Sequence, residues 1–221
     1  MEKEKEMKKE NLLIFDCDGV LIDSESMSNQ LFLQCLRHEG FDVDELYGEH
    51  FHGIALADCL RKVETDFERK LPSHFVPQFS RLLDEEMKKT LQAMPGIHEA
   101  LDQLPQPKCV ASGSTHERLQ LSLEVTHLLH YFPAIFSATD VAQGKPQPDL
   151  FLYAAAQLGF APDACIVIED SYAGLQAALA AQMPVFLYNP LWTDKYPVPE
   201  GVPVFYDMKE LPRLIQKMAS K

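Results

Sequence analysis

Asp16 and Asp18 stand one residue apart where a short apolar run, Leu12 to Phe15, gives way to a polar turn containing Gly19. Two carboxylates held that close repel one another unless a cation sits between them or one of them keeps a proton. Taken alone, an Asp-x-Asp-Gly turn is often only a solvated bend. Three later stretches change that reading. Cys109-Val110-Ala111 runs into Ser112-Gly113-Ser114, Lys145 sits in the polar loop Gly144-Lys145-Pro146-Gln147-Pro148-Asp149, and Ile166-Val167-Ile168 runs into Glu169-Asp170-Ser171. Each has a plain alternative: Ser112 as a helix cap, Lys145 as a solvated lysine, Glu169 and Asp170 as acids that favour a helix start. Together they put carboxylates, a hydroxyl and an ammonium group where apolar segments end, and that set suits phosphoryl transfer. A carboxylate nucleophile can take a phosphoryl group as an acyl phosphate. A hard cation with oxygen ligands, such as Mg²⁺, cancels the repulsion between two anions. A lysine and backbone amides hold the equatorial oxygens. A second acid protonates the leaving alkoxide and then activates water.

Something must bring residues this far apart in sequence together. Strands are expected at Leu12–Phe15, Cys109–Ala111, Ile135–Ala138, Ile166–Ile168, Pro184–Tyr188 and Val202–Phe205, with helical patterns between them from Ile97 onward. Strands alternating with helices mean an α/β fold with a Rossmann-like parallel sheet covered on both faces. In such a sheet the carboxyl ends of the strands share one edge, and ligands bind there. If the first strand ran on regularly, Asp16 and Asp18 would share a face. Residues 28 to 92 show no strand pattern. Leu31, Phe32, Cys35 and Leu36 recur at helical spacing, then Ile54, Ala57, Leu60, Val63 and Phe67, then Phe75, Phe79, Leu82, Leu83, Met87 and Leu91. The expected organisation is a core of residues 11–27 and 94–221, an inserted all-helical cap at 28–93, and a charged tail at 1–10 that is frayed or a short exposed helix. The two crossings between core and cap would form a hinge, with the active site between a fixed core and a moving lid.

Composition removes several function classes. The 221 residues carry a formal charge of −13, a poor match for nonspecific binding of nucleic acid or anionic membranes, which needs basic surface. Hydrophobic residues make up 46%, enough for a real core. Five scattered cysteines without a C-x-x-C pair read as free thiols in a reducing compartment, and with no spanning segment or signal peptide in view the expected location is cytoplasmic. The expected partner is a small phosphorylated metabolite, and the expected assembly a monomer or weak homodimer. His50 and His52 flank Phe51; metal binding is one reading, and cap packing or a substrate contact for His52 is preferred. Trp192 reads as structural packing.

The motifs around Asp16, Ser112, Lys145 and Asp170, in that order, resemble the four motifs of the haloacid dehalogenase superfamily. The helical insert resembles the cap of its beta-phosphoglucomutase and sugar-phosphate phosphatase group, and the stretch from Leu129 to Glu169 is similar to bacterial 6-phosphogluconate phosphatases. The resemblance implies Asp16 as nucleophile and Mg²⁺ ligand, and Asp18 as general acid/base with its backbone carbonyl on the metal. It implies Ser112 and the Gly113 amide on the phosphate, and Lys145 bridging nucleophile and phosphate. It also implies Asp170 on the metal and Glu169 on it directly or through water. Phosphatase is the preferred activity. A phosphosugar mutase is the alternative, weakened because Ser28 and Leu56 stand where mutases of that type carry a histidine and an arginine. A non-catalytic binding protein on the same scaffold is the second alternative.

Overall fold

The computed structural model describes residues 11–51, 56–189 and 196–218. The tail, His52, Ile54 and Trp192 lie outside them. Six strands form one sheet: β1 (Leu12–Phe15), β2 (Lys108–Ser112), β3 (Ile135–Ser137), β4 (Cys165–Glu169), β5 (Val185–Tyr188) and β6 (Val204–Phe205). Their order is β3-β2-β1-β4-β5-β6, and every neighbouring pair is parallel. The chain builds outward from β1 in one direction, then crosses to the other side at β4. That switch leaves a crevice at the carboxyl ends of β1 and β4, where a doubly wound sheet takes its ligands.

β1 is apolar at every position because both of its faces are covered. Leu13 and Phe15 pack into one core layer with Val110, Ile166 and Ile168; Leu12 and Ile14 pack into the other with Cys109, Ala111, Cys165 and Val167. The five cysteines are buried free thiols. No helix among the described residues is long and apolar enough to cross a membrane.

Between β1 and β2 the described insert is helical: α1 (Glu25–His38), α2 (Glu45–Gly48), α3 (Leu56–Asp66) and α4 (Phe75–Thr90). Its centre is Phe32, edge-on to Phe51, Phe75 and Phe79 at ring-centroid distances of 5.2, 5.7 and 5.5 Å. Pro77 falls in the first turn of α4, where a missing N–H costs nothing. Helix α1 begins at Glu25, ahead of the expected start of the helical cap at residue 28. α2 and the single turn Glu49–Phe51 were not visible in the helical periodicity, being too short to show a period. The two crossings lie side by side. Ile22 and Ala93 form an antiparallel bridge, flanked by Asp23 N–H to Gln92 C=O at 3.0 Å and Met94 N–H to Leu21 C=O at 2.9 Å.

After the insert come α5 (Ile97–Asp102), α6 (His116–Val125), α7 (Asp149–Gln157), α8 (Tyr172–Ala180) and α9 (Leu211–Met218). α5, α6 and α9 supply one core layer, and α7 and α8 the other. α4 of the insert packs on α6 of the core.

Candidate active site

Asp16 is the first residue past β1, and its N–H donates to the Ile168 carbonyl at 2.9 Å, tying the end of β1 to the end of β4. The strand does not run on through Asp18. The chain turns at once, with Gly19 at φ +80° and Gly19 N–H bonded to the Ile22 carbonyl at 3.0 Å. Asp18 therefore does not share a strand face with Asp16. Its carboxylate is held elsewhere, accepting from the Ser24 hydroxyl at 2.6 Å and the Ser114 hydroxyl at 2.8 Å. Gly19 has a second reason to be glycine: a Cβ there would lie 2.1 Å from an Asp170 oxygen, so its absence lets Asp170 lean over the turn.

Glu169 is the last residue of β4 and has no exposed surface. One oxygen accepts from the backbone N–H groups of Asp170 and Ser171 at 2.8 and 2.7 Å and from the Ser171 hydroxyl at 2.9 Å. The other accepts from Lys145 Nζ at 2.6 Å. Lys145 also donates to Asp16 at 2.5 Å and lies 4.8 Å over the Phe151 ring. One ammonium thus joins the carboxylates at the ends of β1 and β4. Glu169 fits along the first turn of α8 only because residue 174 is glycine; a Cβ there would stand 1.7 Å from Glu169 Oε1. Gly174→Ala should gain about 1 kcal/mol of helix propensity and lose more. Displacing a fully buried carboxylate from its ammonium partner costs about 3 kcal/mol or more. Urea unfolding should therefore show net destabilisation; a more stable variant would mean the clash is relieved cheaply.

Ser112, 1% exposed, ends β2 and accepts from Ser114 N–H at 3.2 Å. Gly113 is exposed with open space on its Cα. The Ser137 hydroxyl fixes this turn by donating to the Ser114 carbonyl at 2.7 Å.

Oxygens of Asp16, Glu169 and Asp170 lie within 4.8 Å of one another, a donor set able to hold a metal ion. An all-carboxylate set suits a hard divalent cation rather than a soft one. Asp18 stands outside this cluster, and its backbone carbonyl, not its carboxylate, was the expected ligand. Burial pushes the Asp16 carboxyl up to about 7; Lys145 pulls it down, and Glu169 and Asp18 add to the rise. Burial works against the Lys145 ammonium, but the carboxylates of Asp16 and Glu169 prevail and hold its pKa above the ordinary lysine value. The site has more carboxylates than one lysine can balance, and a divalent cation would complete it.

The sheet edge faces a cleft of about 630 Å³ whose other wall is the insert, which contributes Ser28, Asn29, Phe32, Leu56, Phe79 and Ser80 among others. Asp16, Asp18, Ser112, Gly113, Lys145, Glu169 and Asp170 all line it. Over residues 13–188 the chain matches the haloacid dehalogenase-like hydrolase family. The chain belongs to that family.

Among relatives of this haloacid dehalogenase-like hydrolase is the 6-phosphogluconate phosphatase of Escherichia coli K12, 30% identical over 209 residues, covering 91% of this chain and 93% of the relative. The fructose-1-phosphate phosphatase of the same organism is 32% identical, covering 77% and 92%. A haloacid dehalogenase-like protein from Agrobacterium tumefaciens C58 is 35% identical with a TM-score of 0.85, covering 95% of this chain and 99% of that one. A family hydrolase from Deinococcus radiodurans R1, solved with phosphate and sodium bound, is 28% identical with a TM-score of 0.78, covering 96% and 97%.

Sequence reasoning gave no role to Ser24, Ser114 or Gly174. Ser114 carried a signal, since it lies two residues beyond Ser112 in the same turn. The other two act through contacts that only the fold creates.

Proposed function

We propose that this haloacid dehalogenase-like hydrolase is a Mg²⁺-dependent phosphatase of small phosphorylated metabolites, with a sugar phosphate as the preferred substrate class. The observation that carries the reading is the division of labour between the two aspartates. Asp16 is tied to Lys145 in the carboxylate cluster, while Asp18 is held apart by two hydroxyl groups. This division supports Asp16 as the group that bonds to phosphorus and Asp18 as the group that handles protons.

Asp16 attacks phosphorus and forms an aspartyl phosphate as the ester P–O bond breaks. Asp18 gives its proton to the leaving alkoxide. It then takes a proton from a water that attacks the same phosphorus, which releases phosphate and restores the Asp16 carboxylate. Lys145 holds the nucleophile and one phosphoryl oxygen, and Ser112 with the Gly113 amide holds others. Asp16, Asp170 and the Asp18 carbonyl would hold Mg²⁺, with Glu169 acting through Lys145 or a water because its oxygens are already engaged. When bound, the ion supplies neutralising charge between carboxylate and phosphate. The cap wall is suited to a polyol, since it offers Ser28, Asn29 and Ser80 and, among the described residues, no lysine or arginine. Ser28 and Leu56 line this cleft where mutases of the beta-phosphoglucomutase type carry a histidine and an arginine, which favours phosphatase over mutase. A cytoplasmic setting fits five free thiols.

The test is phosphate release from a panel of sugar phosphates, with Mg²⁺ and with chelator. Asp18→Asn should lower the rate by about 10²–10⁴-fold, the usual contribution of one proton-transfer group. Isomerisation of a phosphosugar without net release of phosphate would instead establish a mutase.

A further inference from the structure

We infer that Ser114 is a positioning residue for proton donation: its hydroxyl aims Asp18 at the leaving oxygen, and a ring of polar groups at the end of β3 fixes Ser114. The inference rests on the phosphatase reading. In that reading an Asp16 oxygen bonds to phosphorus, the ester P–O bond breaks, and the Asp18 proton goes to the departing oxygen. The rate then depends on where Asp18 stands relative to the bound phosphate, and a displacement of about 1 Å in such a group can cost about 10²-fold.

Ser114 is held at every polar atom. Its N–H donates to Ser112 Oγ at 3.2 Å, its carbonyl accepts from Ser137 Oγ at 2.7 Å, and its hydroxyl donates to Asp18 Oδ2 at 2.8 Å. Ser112, Gly113 and Ser114 are consecutive and all line the cleft, so one three-residue turn faces the phosphate and grips the acid as well. The other hydroxyl on Asp18, from Ser24 to Oδ1 at 2.6 Å, belongs to the crossing into the insert. Ser114 is therefore the holder that ties Asp18 to the phosphate-binding turn. Each Asp18 oxygen has a second lone pair, so the carboxyl can carry its proton while the Ser114 hydroxyl stays in place.

The hold on Ser114 comes from outside the cleft. Ser137 is fully buried and stands opposite Ser112 in the register of β2 with β3. A carbonyl only accepts, so the Ser137 O–H points at Ser114, and Ser137 Oγ in turn accepts from the Thr139 N–H at 3.1 Å and the Thr139 hydroxyl at 2.9 Å. Ser137 N–H donates to Asp140 Oδ2 at 2.9 Å, and the two Asp140 oxygens lie 2.8 and 2.9 Å from His116 Nε2. The Ser137 N–H first, and His116 after it, hold the Asp140 carboxyl below the ordinary carboxylate range, which keeps it an acceptor. His116 opens α6 two residues beyond Ser114, so these bonds close a ring that pins the turn from both sides. None of Ser137, Asp140 and His116 lines the cleft, and their bonds bear on the reaction only through Ser114.

Esters that differ in their need for a proton test this. Benzyl phosphate and the sugar phosphates leave as alkoxides and require one; p-nitrophenyl phosphate leaves as a stabilised phenolate and does not. In Ser114→Ala the ratio of kcat/KM for benzyl phosphate to that for p-nitrophenyl phosphate should fall about tenfold, a part of the ~10²–10⁴-fold that a general acid supplies, because Ser24 still holds the other oxygen. Any loss of folded protein cancels in that ratio. Ser114→Thr, which keeps the hydroxyl, should restore it, and Ser137→Ala should lower it in the same sense. In an Asp18→Asn background, Ser114→Ala should leave the ratio where Asp18→Asn alone puts it, since a residue acting through Asp18 then has no acid to aim. An equal loss on both esters would put Ser114 on the phosphate and overturn the inference, as would a further fall of the ratio in the double variant. A ratio that Ser137→Ala does not move overturns the part given to the ring. If benzyl phosphate is not hydrolysed, the fastest sugar phosphate of the panel takes its place. Failure of wild type to hydrolyse any of these esters sinks the phosphatase reading itself; hydrolysis with a ratio that Ser114→Ala leaves unmoved sinks only the role of Ser114.

Discussion

Asp16→Asn is expected to release phosphate on the order of 10⁴-fold more slowly than wild type, or slower still, while unfolding at the same temperature or above it. The two halves of this expectation have separate causes. Rate is lost because an amide oxygen is a poor nucleophile toward phosphorus and cannot be regenerated by hydrolysis of an acyl phosphate. Stability is kept because Asp16 is a buried acid whose environment already resists its charge; burial with Glu169 and Asp18 nearby outweighs Lys145 and carries its pKa to about 7. A neutral isostere removes that penalty, and Lys145 still has Glu169. Initial rates and thermal melts on the same preparation decide it. Retention of about a tenth of the wild-type rate would remove Asp16 as nucleophile.

Lys145→Met is expected to cost about 3–5 kcal/mol in urea unfolding, besides removing turnover. Glu169 has no exposed side-chain surface, and Lys145 is its ion-pair partner at 2.6 Å. Without the ammonium, a carboxylate is left buried with backbone donors on one oxygen and no counter-charge. Adding Glu169→Gln should return much of the loss, because an amide needs no counterion and its oxygen can keep the bonds from Asp170 and Ser171. The double variant thus separates charge from packing. If it is no more stable than Lys145→Met alone, the cost lies in the lost lysine stem against Phe151.

The fold was legible because its signals are local and redundant. All six strands appear as short apolar runs bounded by turns, since a parallel sheet covered on both faces needs no polar alternation. The convergence of Asp16, Ser112, Lys145, Glu169 and Asp170 followed from topology alone, as the carboxyl ends of parallel strands share an edge. What stayed hidden depends on neighbours distant in sequence. The strand does not continue to Asp18, because the chain turns at Gly19 and the carboxylate finds Ser24 and Ser114, the latter 96 residues away. Gly174 looks like a mild flaw in an alanine-rich helix until Glu169 is seen against it. The start of α1 at Glu25 was missed because polar residues beginning a helix look like the end of a loop.

The paired crossings at Leu21–Asp23 and Gln92–Met94 have a genealogical consequence. Seen from the sheet, everything between them is a hairpin loop whose ends never part, however long the loop is. The entropy of closing a loop grows only with the logarithm of its length, about 0.6 kcal/mol for each doubling. A lineage can therefore lengthen, shorten or exchange this segment by recombination at two adjacent points while β1, β2 and β4 keep their register. Asp16, Asp18, Lys145 and Asp170 all lie in the part that stays, and much of the opposite wall of the cleft lies in the segment between the crossings.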